Sequence, residues 1–135
     1  MRQNITGDSP FEPIIGFSRA VRVGNAVYLS GTAPAGAKER DAAGQTRRIF
    51  EIAAKALAEA GASLQDVVRT RIYLVHAEDW EAVGLVHGEY FSDVRPAATM
   101  VVVSQLLDPA WRVEIEMDAV ISDTETGAAP GSTIT

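Results

Sequence analysis

Apolar and polar residues along this chain recur with two different periods, and the switch between them marks out the elements. From Asp41 to Ala60, the apolar positions Ile49, Phe50, Ala53, Ala56, Leu57 and Ala60 fall at the spacing of a helix burying one face. Gly61 follows where a helix commonly ends in the left-handed conformation. From Val67 to Val75 the period drops to two. Val68, Thr70, Ile72 and Leu74 share one face of a predicted strand, and Arg69, Arg71 and Tyr73 share the other. Upstream, Val21 to Gly31 reads as two short strands around Gly24-Asn25, a pair that tolerates the positive φ of a tight hairpin turn. A second helix is expected with Asp79 as N-cap, Trp80, Val83, His87 and Tyr90 along its buried stripe, and Phe91 beside it. It ends before Arg95-Pro96, because proline pushes its predecessor away from helical angles.

The uncharged run Ala97 to Val103 predicts a buried strand reaching Gln105, and a last strand spans Arg112 to Ile121. On that last strand Val113, Ile115, Met117, Ala119 and Ile121 form one face, while Glu114, Glu116 and Asp118 form the other. The order β-β-α-β-α-β-β describes an α+β protein, a single sheet with two helices on one face, forming one domain over residues 1–122. The small, polar residues 123–135 read as a flexible tail. Two helices leave the second face of the sheet bare. Three carboxylates there fit a solvated surface. Together with Val101, Val103, Tyr73, Arg69 and Arg71, they also fit a protein interface, and self-association is the expectation.

Composition narrows the chemistry. With no cysteine there is no disulfide, thiolate site or cysteine nucleophile. Two histidines, His76 and His87, with no HExxH spacing, give no expected metal site. A net charge of −6 disfavours nucleic acid as a partner. No apolar run approaches the roughly 18 residues of a membrane span, and the N-terminal MRQNITGDSPFEP lacks an apolar signal core, so a cytoplasmic location is expected.

Six segments taken in order resemble the Rid family, also called YjgF or reactive-intermediate deaminases. They are GFSRAVRVGNAVYLSGT, the helix ending in AEAGAS, DVVRTRIYLV, HGEYF, RPAATM and LLDPAWRVEIEMDAV, covering Gly16 to Val120. The resemblance implies a chorismate-mutase-like fold and a homotrimer in which the helix-free faces meet as a barrel. It also implies small-molecule pockets in the clefts between subunits, and hydrolysis of enamines or imines to a keto acid and ammonia without a cofactor. Ribonuclease activity has also been attached to the family; the acidity of the chain and the lack of a paired-histidine site argue against it here.

Residue by residue, the resemblance makes Glu114 the catalytic group that orients or activates water. Ser30 and Gly31 line the cleft, and Phe17 covers it where an aromatic, usually tyrosine, is found. Active members carry an arginine, in Pro-Ala-Arg, that forks onto the substrate carboxylate. Here the motif is Pro96-Ala97-Ala98, and losing that fork removes about 2–5 kcal/mol of carboxylate binding. Met100 stands where the motif has cysteine, and Thr99 is a candidate pocket hydroxyl. Arg19, at a position often held by glutamine, is either a surface residue or a replacement clamp. Arg71 is either a clamp or a structural partner of Glu114 or Glu116. His87, where many relatives have tyrosine, is either a core histidine or a pocket residue. The expected activity is hydrolysis of a C=N bond in a substrate other than a standard 2-imino acid. The alternative is a noncatalytic trimer that binds a ligand or protein in the same clefts.

Overall fold

A computed structural model describes residues 1–122; the expected tail, 123–135, lies outside the described residues. Asp41 accepts a hydrogen bond from the Gly44 N–H (3.1 Å) and starts helix α1, Ala42–Glu59. Gly61, at φ 86°, ends it. Helix α2, Trp80–Phe91, packs beside α1, with Phe50 of α1 edge-on to Phe91 at 5.5 Å between ring centres.

Both helices lie on one side of a six-stranded sheet. Its strands are β1 (Arg2–Ile5), β2 (Ala20–Val23), β3 (Ala26–Thr32), β4 (Val67–Leu74), β5 (Ala97–Val102) and β6 (Val113–Val120), in the spatial order β1-β2-β3-β6-β4-β5. Only β4 and β5 run parallel. The core is built from Val27, Leu29, Ile72, Leu74, Val113, Ile115 and Met117 on the sheet, against Ile49, Phe50, Leu57, Val83, Val86 and Phe91 on the helices. The expected hairpin forms, with Gly24 alone of its turn pair at positive φ, 60°.

Five details differ from the pattern-based reading. Strand β1 was not expected: among Arg2–Ile5 only Ile5 is buried, so no alternation announces it. The expected inward face of β4 is corrected at its start. A bulge between Val67 and Arg69 opposes two residues to one on β6, so Val67 turns into the core and Val68 is exposed. In α2 the buried stripe is Val83, Val86 and Phe91, while Trp80 stands outside. Asp79 caps nothing, because its carboxylate is held by the Arg112 guanidinium at 2.9 and 3.1 Å. Finally β5, expected to be buried, is an edge strand on which only Met100 is partly covered. Its lack of charge marks a surface, not a core.

Candidate functional site

The side of the sheet away from the helices carries the polar residues of β6, and neighbouring strands decide their partners. Tyr73 lies opposite Glu114, Arg71 opposite Glu116 and Arg69 opposite Asp118. The side chains of β4 lean diagonally, however. The Tyr73 hydroxyl donates a short hydrogen bond to Glu116, and Arg71 pairs with Asp118 at 3.4 Å. Each donor serves the carboxylate one pair further along, so Glu114 is left without a hydrogen-bond donor among the described residues. Arg71, read from sequence as either a clamp or a partner of Glu114 or Glu116, bonds neither of these carboxylates here.

Glu114 is half-buried, and its carboxyl is raised above the ordinary range. Loss of water on burial is the main cause; attraction to Arg19 opposes it and repulsion from Glu116 adds to it. Hydrogen bonding to Glu116 also raises the Tyr73 hydroxyl. Room for the Glu114 carboxylate comes from Gly31, since any Cβ there would collide with Oε2. Gly31 sits in a bulge of β3, where Ser30 and Gly31 together oppose Glu116. The Ser30 hydroxyl donates to the Ser18 carbonyl at 2.6 Å, tying this bulge to the start of β2.

Arg19, just before β2, approaches from the other side. Its Nη2 donates to the Gly31 carbonyl at 2.7 Å, and its Cζ lies 5.6 Å from the Phe17 ring centre. Behind it stands Glu12, buried in a π-helical turn, Glu12–Gly16, with its carboxylate held by the Gly7 N–H at 3.0 and 3.1 Å. Burial lowers the Arg19 guanidinium, against attraction from Glu12 and Glu114. In front of Glu114 an open cleft of about 440 Å³ is bounded by Gly31, Tyr73, Val103, Leu106, Glu114 and Glu116.

Within one chain, then, Phe17, Arg19, Ser30, Gly31 and Glu114 come together. Arg71 and Thr99 share the same face, opposite each other on β4 and β5. His87, Ala98 and Met100 do not join them. Ala98 and Met100 pair with Thr70 and Ile72, whose side chains point to the helices. The His87 Nε2 is 2.9 Å from the Thr70 hydroxyl, and its ring packs between Phe50 and Phe91. Burial pushes its pKa down, so the imidazole is held neutral as a satisfied core group. Glu12 and Leu106 were not singled out from sequence. The one signal for Glu12 was an acidic residue isolated in the apolar, proline-flanked PFEPIIG.

The family profile described as Endoribonuclease L-PSP matches residues 7–121. A crystal structure of a Mycobacterium tuberculosis member of the YjgF family superposes with a TM-score of 0.84 at 44% identity, covering 90% of this chain and 100% of that one. This chain belongs to the Rid (YjgF) family. Its relatives include a 2-iminobutanoate/2-iminopropanoate deaminase of Dermatophagoides farinae, 38% identical over 82% of this chain and 89% of that protein. The 3-aminoacrylate deaminase RutC of Acinetobacter baylyi is 36% identical, over 76% and 85%. Some Rid relatives of this chain are thus named as deaminases of imines and aminoacrylate, and the α+β fold is the one seen in YjgF structures.

Proposed function

We propose that the cleft beside Glu114 is the site of a hydrolase that opens the C=N bond of a small imine or enamine metabolite. The observation that carries this reading is a half-buried carboxylate with no donor to hold it, facing open space. A structural carboxylate would be paired, as Glu116 and Asp118 are. In the reaction water adds through its oxygen to the imine carbon while Glu114 takes one of its protons. Glu114 returns that proton to the nitrogen to give a carbinolamine, whose hydroxyl proton then passes through Glu114 to the nitrogen as the C–N bond breaks, leaving a carbonyl compound and ammonia. An enamine first takes a proton on carbon to become the imine. The deaminase names of two relatives support the reaction class.

The cleft is open in one chain, and the bare face around it mixes Tyr28, Val101 and Tyr73 with charges of both signs. Under this proposal three copies bury that face and close the cleft, bringing a neighbour's residues over Glu114. Ala98, on the edge strand and apart from Glu114 within one chain, has a place in such a cleft only through that assembly. The ribonuclease reading has no pair of histidines to rest on. His76 is exposed before α2, and His87 is packed among aromatics on the helix side.

The test is ammonia release from a small imine that carries no α-carboxylate, generated in place by an amine oxidase, since Ala98 leaves no fork for the carboxylate of a 2-imino acid. Wild type should accelerate it, and Glu114→Gln should lose about 10²-fold or more. The wild-type rate should climb with pH as Glu114 ionises, at a midpoint above 4.5, the ordinary carboxyl value. An unaccelerated reaction, or equal rates for the two proteins, contradicts the proposal and favours a noncatalytic binding module.

A further inference from the structure

Tyr73 stands between two carboxylates and gives its proton to the more distant one. On β4 it is directly opposite Glu114, with Glu116 its diagonal neighbour. Side chains directly opposite each other lie closer than diagonal ones. Yet the hydroxyl donates to Glu116, and Glu114 receives nothing from it. On its other side Tyr73 faces Val101 of β5, which has no polar side-chain atom. A phenol has one proton to donate and lone pairs that accept. With the proton on Glu116, the Tyr73 oxygen offers only lone pairs to anything else. The bond to Glu116, loss of water and the charge of Glu116 raise this hydroxyl above its usual range. Arg71 opposes the rise and Glu114 adds to it, so Tyr73 keeps its proton at neutral pH. Tyr73, Glu114 and Glu116 all bound the one cleft.

We propose that Tyr73 is a second catalytic residue, whose oxygen accepts one hydrogen of the attacking water while Glu114 takes the other, and that Glu116 is a positioning residue that keeps the Tyr73 proton off Glu114. This deepens the hydrolase reading and rests on the Glu114 cleft being its site. A water whose two hydrogens are both accepted turns its oxygen lone pairs toward the open cleft, where the imine carbon lies. Tyr73 gains and loses no proton in the cycle; Glu114 carries them all. Without Glu116 the Tyr73 hydroxyl would turn to the carboxylate opposite it. A hydrogen bond to the ionised Glu114 would then make it a weaker base. The charged and titratable groups facing this pair are Glu114 on β6, Arg71 on β4 and Arg19 before β2.

The test follows ammonia release from the amine-oxidase-generated imine across pH, for wild type, Tyr73→Phe, Glu116→Gln and the double variant. Tyr73→Phe keeps the ring and loses the oxygen. It should lower kcat about 10- to 100-fold and leave KM within about twofold, because water and not substrate is misplaced. Glu116→Gln should move the midpoint of the pH–rate curve down, since Glu114 loses a repelling charge and gains the Tyr73 hydroxyl. Removing that hydroxyl in the double variant should bring the midpoint part of the way back up. Glu116→Gln leaves Tyr73 in place and carries its arm of the test even where Tyr73→Phe does not fold. A wild-type kcat in Tyr73→Phe, a loss confined to KM, an unmoved midpoint in Glu116→Gln, or one midpoint shared by Glu116→Gln and the double variant each overturns the inference. Acceleration by wild type that Glu114→Gln abolishes and Tyr73→Phe does not impair keeps the hydrolase and removes only the role of Tyr73. A wild type that accelerates nothing overturns both.

Discussion

Glu114 owes its unpaired state to a diagonal offset between two strands, since Tyr73, opposite it on β4, reaches past to Glu116, and Arg71, opposite Glu116, reaches on to Asp118. That isolation has a thermodynamic signature. Burial lifts the folded-state pKa of Glu114 above its unfolded value near 4.5, so the protein prefers this carboxyl protonated. Below the unfolded value both states are protonated and the preference is fully satisfied. As pH rises through the folded value, the fold must hold a charge it disfavours and stability falls. Glu114→Gln mimics the protonated acid permanently. It should therefore raise the melting temperature at neutral pH, by roughly a degree or two, with the gain vanishing in acid below that window. Thermal unfolding of both proteins across pH checks this, and a variant less stable at neutral pH would show that the ionised carboxylate supports the fold.

At the scale of elements, much of what shapes the cleft comes from places where regular structure is interrupted. The Ser30-Gly31 bulge makes room for Glu114, and the loop between β5 and β6 supplies Leu106 to the cleft wall. That loop is anchored from α1 by Gln45, which is 4% exposed. Its Nε2 donates to the carbonyls of Ala110 (2.9 Å) and Arg40 (3.3 Å), and its Oε1 accepts the Arg112 N–H (2.8 Å). Gln45→Leu leaves these backbone groups without partners and should cost about 2–4 kcal/mol. Denaturant unfolding measures the loss, and hydrogen exchange at the Arg112 amide should accelerate with it. Helix α1 was legible from sequence because its apolar spacing, its Asp41 cap and its Gly61 stop agree. Helix α2 was legible in extent but not in orientation. Both a stripe starting at Trp80 and one through Val86 fit its apolar residues, and only the packing of Phe91 against Phe50 chooses between them.

For the whole molecule the consequence is an uncovered sheet face and an uncharged edge strand, features that a protein working alone usually guards with charge or a bulge. If three chains bury this face, as proposed, wild type sediments as a trimer. Tyr28→Glu, which places a carboxylate opposite Asp118, should then shift it toward smaller species and reduce ammonia release with it. Analytical ultracentrifugation decides the matter, and an unchanged sedimentation coefficient would mean that the face is simply solvated.

The sequence by itself determined the two helices, the alternating strands β4 and β6 and the hairpin, because each rests on spacings a few residues long, and it carried the likeness to the Rid family in the order of six segments from Gly16 to Val120. It also located Glu114, Ser30, Gly31, Phe17 and Arg19 as candidates. Tertiary structure alone decided that Val68 faces outward, that β5 is an edge and that Arg71 serves Asp118. It also decided that Arg19 and Glu12 close in behind Glu114. Each of these depends on which strand lies beside which, and at what register, between residues up to a hundred positions apart. A one-residue bulge or a diagonal lean changes the partner of a side chain without changing any local pattern.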